Sequence, residues 1–328
     1  MPSTSSRALA AAMSAVGHKF GYRDLVQVRR KVEKQLTRPA HFGPPGHLDR
    51  TCAVTLRFDH GFPCYEVVPH GRTPQVRVLY LHGGAYIEEI GYNHWALIKE
   101  LAAQAPAQIV VPVYPLAPRG TAGEFLPRLT ALARELTAAP VPAVFMGDSA
   151  GGGLSLAVAQ RLHGQGDAPP ARLTLLSPWL DAALSDPDAE TIQPHDPMLA
   201  VEPLRYTGGL WAGDLAPSDP AVSPLNGRMD GLPPTEVYIG DRDILLPDAR
   251  RFTERATSAG VAVDLHEAPG QIHAYPLWPV PEGRDAREQI LSGLRLTART
   301  AGSTAGAGGS PTRGTGGGGA APDGVPFR

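Results

Sequence analysis

Eight short apolar runs alternate with helix-patterned segments between residues 54 and 266. They lie at residues 54–58, 65–68, 76–81, 109–114, 143–146, 172–176, 236–239 and 261–266. Short runs of this kind are typical of strands, and the helix-length segments between them imply right-handed crossovers. The pattern therefore predicts an α/β fold in which a mostly parallel sheet is covered by helices on both faces.

Two segments depart from this alternation. Residues 1–40 carry two sets of apolar side chains at helical spacing, which predict two amphipathic helices that form an appendage. Residues 180–231 carry Pro, Asp and Gly clusters around a short apolar pattern, which predicts an insertion between two strands. The two N-terminal sets are Leu9, Met13, Val16 and Phe20, followed by Leu25, Val28, Val32 and Leu36.

The C-terminal residues 300–328 form a tail rich in Gly, Ala, Ser, Thr and Pro. Such a tail buries too little apolar area to offset its ordering entropy, so it is expected to be disordered. Residues 41–299 then remain as one large domain, interrupted at about residues 180–231 by the insertion.

Composition and charge exclude some classes of function. The chain has 328 residues, of which 42% are hydrophobic and 19% charged, and this suits a globular protein with a sizeable core. The net charge of −2 gives no general attraction to nucleic acid, and no apolar run reaches the roughly 18 residues of a membrane span. The basic face of the second N-terminal helix is interpreted as a solvated surface, so no stable membrane association is expected.

The cysteines, Cys52 and Cys64, fit neither a metal motif nor a disulfide framework. Together with an N-terminal run too weakly apolar for a signal peptide, this predicts a cytoplasmic protein. The sequence has no HExxH motif and no Cys/His ligand cluster, so neither a metal nor a cofactor is expected. It leaves the oligomeric state open, a homo-oligomer included.

Residues 147–151 read Gly-Asp-Ser-Ala-Gly, which fits the G-x-S-x-G nucleophile elbow. The motif alone is weak in a chain with 37 glycines. Here it directly follows the apolar run at residues 143–146 and opens a helical pattern, which is the strand-turn-helix setting that the elbow requires. Ser149 is therefore predicted to be an exposed nucleophile rather than part of a mere tight turn, and Asp148 a loop-bonding residue.

A second loop of small residues, His-Gly-Gly-Ala-Tyr at residues 82–86, follows another predicted strand. Small residues leave main-chain N–H groups free to point at a ligand, and an acyl-transfer enzyme needs such donors for the developing oxyanion. We expect the N–H groups of Gly83 and Gly84, with that of Ala150, to form this oxyanion hole. His82 is interpreted as a structural residue that holds the loop.

A serine hydroxyl is a poor nucleophile, so an imidazole must take its proton and a carboxylate must fix the imidazole tautomer. Among the 11 histidines, His273 is favoured because it lies in a loop after the last apolar run. His266 lies within that run, His163 at a helix end and His195 in the insertion.

The candidate carboxylates are Asp241, Asp243 and Asp248, which all follow the apolar run at residues 236–239. Asp243 is preferred. Asp241 stays open as a loop cap or as the orienting group itself, and Asp248 fits the first turn of the next helix, where a carboxylate is favoured by the helix dipole.

The chain order Ser149, Asp243, His273 is the order found in α/β-hydrolases. Over roughly residues 40–297, the chain resembles the hormone-sensitive-lipase family of α/β-hydrolases, specifically its bacterial esterase branch. The motifs that carry the resemblance are His-Gly-Gly at 82–84, Tyr-Pro-Leu-Ala-Pro at 114–118, Gly-Asp-Ser-Ala-Gly-Gly at 147–152, Ser-Pro-Trp-Leu-Asp at 177–181, Gly-Asp-Arg-Asp-Ile-Leu-Leu at 240–246 and Gly-Gln-Ile-His at 270–273.

The resemblance implies an eight-stranded α/β-hydrolase fold, a catalytic carboxylate at Asp243, and a helical cap built from the N-terminal helices and the insertion. Two positions depart from the family pattern: Ala85 replaces a further glycine of the oxyanion loop, and Ile244 replaces the proline of the carboxylate motif. Chains with Tyr86 and Asp-Ile-Leu-Leu-Pro-Asp are similar to a subgroup described as esterases or monoterpene ε-lactone hydrolases.

We therefore expect a serine carboxylic-ester hydrolase that forms an acyl-serine intermediate on small or medium apolar esters. A lactonase or an amidase would use the same three residues, so both activities stay open. A non-catalytic ligand receptor would usually have lost one of them, and a lipase acting at lipid interfaces would usually show a long amphipathic lid. The residues interpreted as lining an acyl pocket, with core packing as the alternative, are Tyr86, Trp179, Tyr206 and Trp211.

Overall fold

The computed structural model describes residues 1–306, except for the side chains of residues 16–20 and 301–306, and its eight strands lie in one sheet. The predicted apolar runs match the strands to within two residues at each end. In chain order the strands are β1 (Cys52–Arg57), β2 (Cys64–Pro69), β3 (Val76–Leu81), β4 (Ala107–Pro112), β5 (Ala143–Asp148), β6 (Arg172–Leu176), β7 (Thr235–Gly240) and β8 (Val263–Ala268).

The strand order in the sheet is β1-β2-β4-β3-β5-β6-β7-β8. Strand β2 pairs antiparallel with β1 and β4, and the other neighbouring pairs are parallel. The predicted mostly parallel α/β sheet is confirmed. Because parallel strands end at the same edge, the loops that follow β3, β5, β6, β7 and β8 come together there.

Helices cover both faces of the sheet, and the apolar residues of β3 pack on both of these faces. Leu79 packs in the same core as Leu154 of the helix after β5, whereas Tyr80 packs in the core on the other face with Trp95 of the helix after β3. The helices are α1 (Thr4–Phe20), α2 (Leu25–Thr37), α3 (Tyr92–Gln104), α4 (Ala122–Thr137), α5 (Ala150–Gly164), α6 (Asp188–Ile192), α7 (Val201–Ala212), α8 (Leu246–Ser258) and α9 (Pro281–Gly306).

The N-terminal helices and the insertion between β6 and β7 are joined to each other. Helix α2 packs against α7 of the insertion, and its residues Val28 and Val32 are buried. Between α1 and α2, the Tyr22 N–H donates to the Met198 carbonyl at 2.6 Å, and the Tyr22 carbonyl accepts from the Ala200 N–H at 3.0 Å. These contacts unite the two segments expected to form a cap, while the division into cap and hydrolase domain stays a prediction.

The ends of the described chain also pack together, because the Ser6 hydroxyl donates to Glu282 at the start of α9 at 2.6 Å. Helix α9 continues to Gly306 and so includes the first residues of the segment predicted to be a tail. An established helix adds further residues without a new nucleation step. The rest of the predicted tail, residues 307–328, and the side chains of Val16 and Phe20 lie outside the described part.

Within residues 1–306, no helix combines the length and the apolar character needed to cross a bilayer.

Candidate active site

Ser149 lies at the junction of β5 and α5, in a backbone conformation of φ 52° and ψ −120° that non-glycine residues rarely adopt. The flanking glycines are required by close packing. A Cβ on Gly147 would lie 2.3 Å from the Gly151 carbonyl oxygen, and one on Gly151 would lie 1.9 Å from the Leu81 carbonyl oxygen. The strand and helix therefore meet in the tight turn of a nucleophile elbow, with Ser149 at the carboxyl edge of the sheet.

His273 and Asp243 form a buried pair at the same edge. The distance from His273 Nδ1 to Asp243 Oδ2 is 2.7 Å, and the residues are 5% and 0% exposed. Because a carboxylate accepts hydrogen bonds, Nδ1 carries the proton and Nε2 presents its lone pair. The other carboxylate oxygen, Oδ1, accepts the Leu245 N–H at 3.0 Å, which holds the Asp243 side chain in place.

The structure separates the three candidate carboxylates. Asp241 is exposed, and its Oδ1 accepts the Gly270 N–H at 2.7 Å. Asp248 lies in the first turn of α8 and pairs with Arg251 at 2.9 Å. Asp243 is thus the candidate that bonds His273.

Hydrogen bonds at the end of β6 connect the segments that carry Ser149 and His273. The Ser149 N–H donates to the Leu176 carbonyl at 2.8 Å, at the end of β6. The next residue, Ser177, accepts the Ala274 N–H on its hydroxyl at 2.9 Å. The end of β6 therefore bonds both the residue predicted as nucleophile and the neighbour of the residue predicted as base.

The surroundings of His273 favour its protonated form. Burial by itself lowers the pKa of His273, but the carboxylates of Asp243, Asp196 and Asp148 outweigh burial, so the pKa is raised above its ordinary value. An imidazolium that forms while a proton is being carried is therefore stabilised in this position.

The oxyanion loop differs from its prediction at Gly83. The Gly83 N–H donates to Asp148 Oδ1 at 3.1 Å, and a Cβ at this position would lie 2.2 Å from Asp148 Oδ2. This N–H is already used, contrary to its predicted role as a donor to the oxyanion. The described residues supply no acceptor for the N–H groups of Gly84, Ala85 and Ala150, which leaves these three as the candidate donors.

Asp148 is a clamp between the oxyanion loop and the elbow. Besides the Gly83 N–H, its carboxylate accepts the Tyr80 hydroxyl at 2.7 Å and His94 Nε2–H at 3.2 Å. Burial raises the pKa of Asp148, but His94 and Tyr80 outweigh burial and leave the pKa lowered. His94 was not identified from the sequence, and its place three residues after Gly91 gave no sign of this role.

His82 has the structural role that was predicted for it. Its Nδ1–H donates to the Gly83 carbonyl at 2.7 Å, and its ring stacks on Tyr114 with centroids 4.5 Å apart. Burial, together with His94, lowers the pKa of His82 to about 4, so the ring is neutral at pH 7. These contacts hold the loop in place.

Replacing Asp148 by asparagine is expected to lower kcat/KM by about 10- to 100-fold, because a shift of about 1 Å in a positioning group has effects of that size. The free energy of unfolding should fall by about 1.5–3 kcal/mol, the usual contribution of a hydrogen bond to a buried charge. Ester hydrolysis and urea unfolding measure the two effects. Tyr80→Phe removes one donor and keeps the carboxylate, so it should show smaller losses of kcat/KM and of unfolding free energy. An unchanged kcat/KM in Asp148→Asn would contradict the role of the clamp.

The clamp also has a predictable pH dependence. The lowered pKa of Asp148 gives stability that is present above its ordinary value of 3.8 and is lost as the pH falls through the folded-state value. Burial lowers the pKa of His94 but Asp148 outweighs it, and the net raised pKa gives stability that is full below 6.5 and lost as the pH rises through the folded-state value. The unfolding free-energy difference between wild type and Asp148→Asn should therefore shrink on both sides of this window.

Three of the four predicted pocket residues pack against one another in the core. Tyr86, Trp179 and Trp211 are each at most 2% exposed, and the Tyr86 and Trp211 rings stack in parallel at 4.5 Å. The Trp179 N–H donates to the Ser149 carbonyl at 2.9 Å, which sets the cluster directly behind the elbow. Tyr206 is half-buried on α7, with the Arg29 guanidinium over its ring.

A cavity of about 680 Å³ adjoins the oxyanion loop. It opens between α2 and residues 84–94, and Gly84 is part of its wall. A larger cavity of about 1070 Å³ lies between α5, α8 and residues 219–230, away from the residues of the candidate site. Among the side chains that the structure describes, no group of three or more His, Cys, Asp or Glu is arranged to hold a metal ion.

Known proteins resemble this chain in both sequence and structure. A model of the alpha/beta hydrolase fold matches residues 78–277. The chain is 34% identical to an esterase of Acinetobacter venetianus, over 65% of this chain and 72% of that protein. It is 36% identical to a triacylglycerol lipase of Mycobacterium tuberculosis, over 78% of this chain and 54% of the lipase. A crystal structure of an esterase from the bacterial hormone-sensitive lipase family superposes with a TM-score of 0.76 at 27% identity, covering 91% of this chain and 100% of that one.

Proposed function

This chain belongs to the α/β-hydrolase fold family, and we propose that it hydrolyses carboxylic esters through an acyl-serine formed on Ser149. Its place among carboxylic ester hydrolases of the hormone-sensitive-lipase type follows from the family match and from the esterases and the lipase that it resembles. The serine mechanism, the residues that carry it and the substrate class are the proposal.

The observation that carries the proposal is the buried His273–Asp243 hydrogen bond of 2.7 Å, at the sheet edge where Ser149 sits in the elbow. A buried carboxylate that fixes the Nδ1–H tautomer leaves Nε2 as the base. In a non-catalytic ligand receptor nothing would require this pair beside a serine held in a rare backbone conformation. The geometry therefore favours an enzyme.

In the proposed reaction, the Ser149 oxygen attacks the ester carbonyl carbon while His273 Nε2 takes the hydroxyl proton. The N–H groups of Gly84, Ala85 and Ala150 bind the resulting oxyanion. Collapse of the tetrahedral intermediate breaks the bond to the leaving alkoxide, which receives the proton from His273. Water then repeats the sequence on the acyl-serine and releases the acid and free Ser149.

We infer that small or medium apolar esters are the substrates. The aromatic cluster of Tyr86, Trp179 and Trp211 fills the space behind the elbow, so a long acyl chain meets packed side chains there. Lactones and amides remain the second candidates, because the same three residues would open a lactone or cleave an amide.

The experiment is a panel of p-nitrophenyl acetate, butyrate, hexanoate and decanoate, with ε-caprolactone and p-nitroacetanilide beside them. We expect kcat/KM to be highest for acetate or butyrate and at least about tenfold lower for decanoate, a usual degree of discrimination by a packed apolar site. Ser149→Ala is the control for background hydrolysis. A preference for decanoate would contradict the inferred acyl size, and faster turnover of the lactone or the anilide would identify a lactonase or an amidase.

A further inference from the structure

A second carboxylate, Asp196, is buried on the far side of the Asp243 loop. It belongs to the insertion, follows the short 3₁₀ helix Gln193–His195, and is 0% exposed. Its Oδ1 accepts the N–H groups of Met198 and Leu199 at 2.8 and 3.0 Å. Its Oδ2 accepts the Ile244 N–H at 3.1 Å. One carboxylate thus bridges the insertion and the loop after β7.

Ile244, whose N–H donates to Asp196, directly follows Asp243 in the chain. The Ile244 N–H is bonded by Asp196, and the next N–H, that of Leu245, is bonded by Asp243 itself. Asp196 and Asp243 therefore each accept one of two consecutive backbone N–H groups of this loop. The loop cannot shift relative to His273 without breaking a hydrogen bond to one of the two.

The turn that holds Asp196 is also fixed to the N-terminal segment. The carbonyl of Met198 accepts the Tyr22 N–H at 2.6 Å, and the Tyr22 hydroxyl bonds to Glu88, four residues beyond Gly84 in the chain. The Asp196 turn therefore connects the Asp243 loop with Tyr22, and through Tyr22 with the segment that follows the oxyanion loop.

A carboxylate is a costly choice for this bridge. A neutral side chain could accept the same backbone N–H groups, whereas a buried negative charge beside Asp243 is penalised by desolvation and by like-charge repulsion. Burial and Asp243 accordingly raise the pKa of Asp196 to about 7. The group that benefits from this further negative charge is the His273 imidazolium, which Asp243 and Asp148 also stabilise.

We propose that Asp196 is a positioning residue for acyl transfer, which holds the Asp243 loop and adds a further negative charge that acts on His273. This inference rests on the proposed function, because it assigns Asp196 a role only if His273 carries a proton in turnover. In this proposal, a residue of the insertion stabilises the positive charge that His273 carries during proton transfer.

The test is the pH profile of kcat/KM for p-nitrophenyl butyrate in wild type, Asp196→Asn and Asp181→Asn. Asp181 is a matched control: it is 3% exposed in the same insertion and accepts the N–H groups of Ala183 and Ser185 at 3.0 and 2.9 Å. In Asp196→Asn we expect kcat to fall about tenfold, a part of the full contribution of a general base, with KM changed less than about twofold. The acid limb should move to lower pH, because losing the charge lowers the pKa of His273.

If Asp196 is purely structural, Asp196→Asn should have a lower melting temperature, as is expected for Asp181→Asn, while kcat and the acid limb stay unchanged. That result overturns the inference. If Asp196→Asn does not fold, the pH profile of kcat/KM of the wild type tests the inference instead. An acid limb steeper than one proton supports uptake by both Asp196 and His273, and a one-proton limb overturns it. Ser149→Ala keeps the two hypotheses apart, since only its retention of activity would count against the acyl-serine mechanism.

Discussion

Replacing Ser149 by alanine is expected to lower kcat for ester hydrolysis by about 10⁴- to 10⁶-fold, the effect of removing the nucleophile from such a triad. Alanine keeps the Cβ that the backbone at φ 52° already accommodates, and Gly147 and Gly151 keep the turn packed. The fold should therefore persist while the acyl acceptor is lost.

Two measurements separate loss of chemistry from loss of structure. A fluorophosphonate should add one stoichiometric mass increment to wild type and none to Ser149→Ala, while the melting temperatures stay close. Ser155→Ala is a matched control, because Ser155 is buried in α5, six residues after Ser149, and its hydroxyl donates to the Gly151 carbonyl at 2.9 Å. Turnover near the wild-type level in Ser149→Ala would refute the proposed mechanism.

The second large effect is expected for Asp243→Asn, with a drop in kcat of about 10⁴-fold. An asparagine side chain can turn its NH₂ group toward His273 Nδ1, which then becomes an acceptor and moves the ring proton to Nε2. The ring could no longer take the proton of Ser149. The shape of the buried site, where Asp243 is 0% exposed, would hardly change.

Asp241→Asn is the matched control, two residues away. Asp241 is exposed and accepts only the Gly270 N–H, a bond that an amide oxygen can keep. Its kcat should stay within about twofold of wild type, as is usual for surface substitutions. A larger loss in Asp241→Asn than in Asp243→Asn would transfer the orienting role to Asp241.

The choice between these two aspartates shows what the sequence could not decide. Asp241 and Asp243 follow the same strand and lie in a loop, where no hydrophobic periodicity indicates which way a side chain points. The strands themselves were predictable because apolar runs bounded by helical patterns have few other interpretations. His273 was predictable for a similar reason, because it lies in the loop after the last strand, where a side chain can reach the active edge of the sheet.

Residues that act through other residues were harder to find. The N–H of Gly83 was expected to be free, and the buried Asp148 carboxylate takes it instead. A carboxylate beside a predicted nucleophile needs donors nearby, and that requirement was the available signal. Asp196 gave a similar signal, as a charged residue directly before the apolar Pro-Met-Leu at residues 197–199.

The shared carboxylate at Asp148 has a consequence for anyone who redesigns this protein. Because one side chain holds both the oxyanion loop and the elbow, changes in the two loops cannot be optimised separately. Substitutions at residues 83–86 and at residue 148 should be strongly non-additive, as expected for positions that share a partner. Mutant libraries that vary both segments together would reach combinations that stepwise selection, one loop at a time, discards.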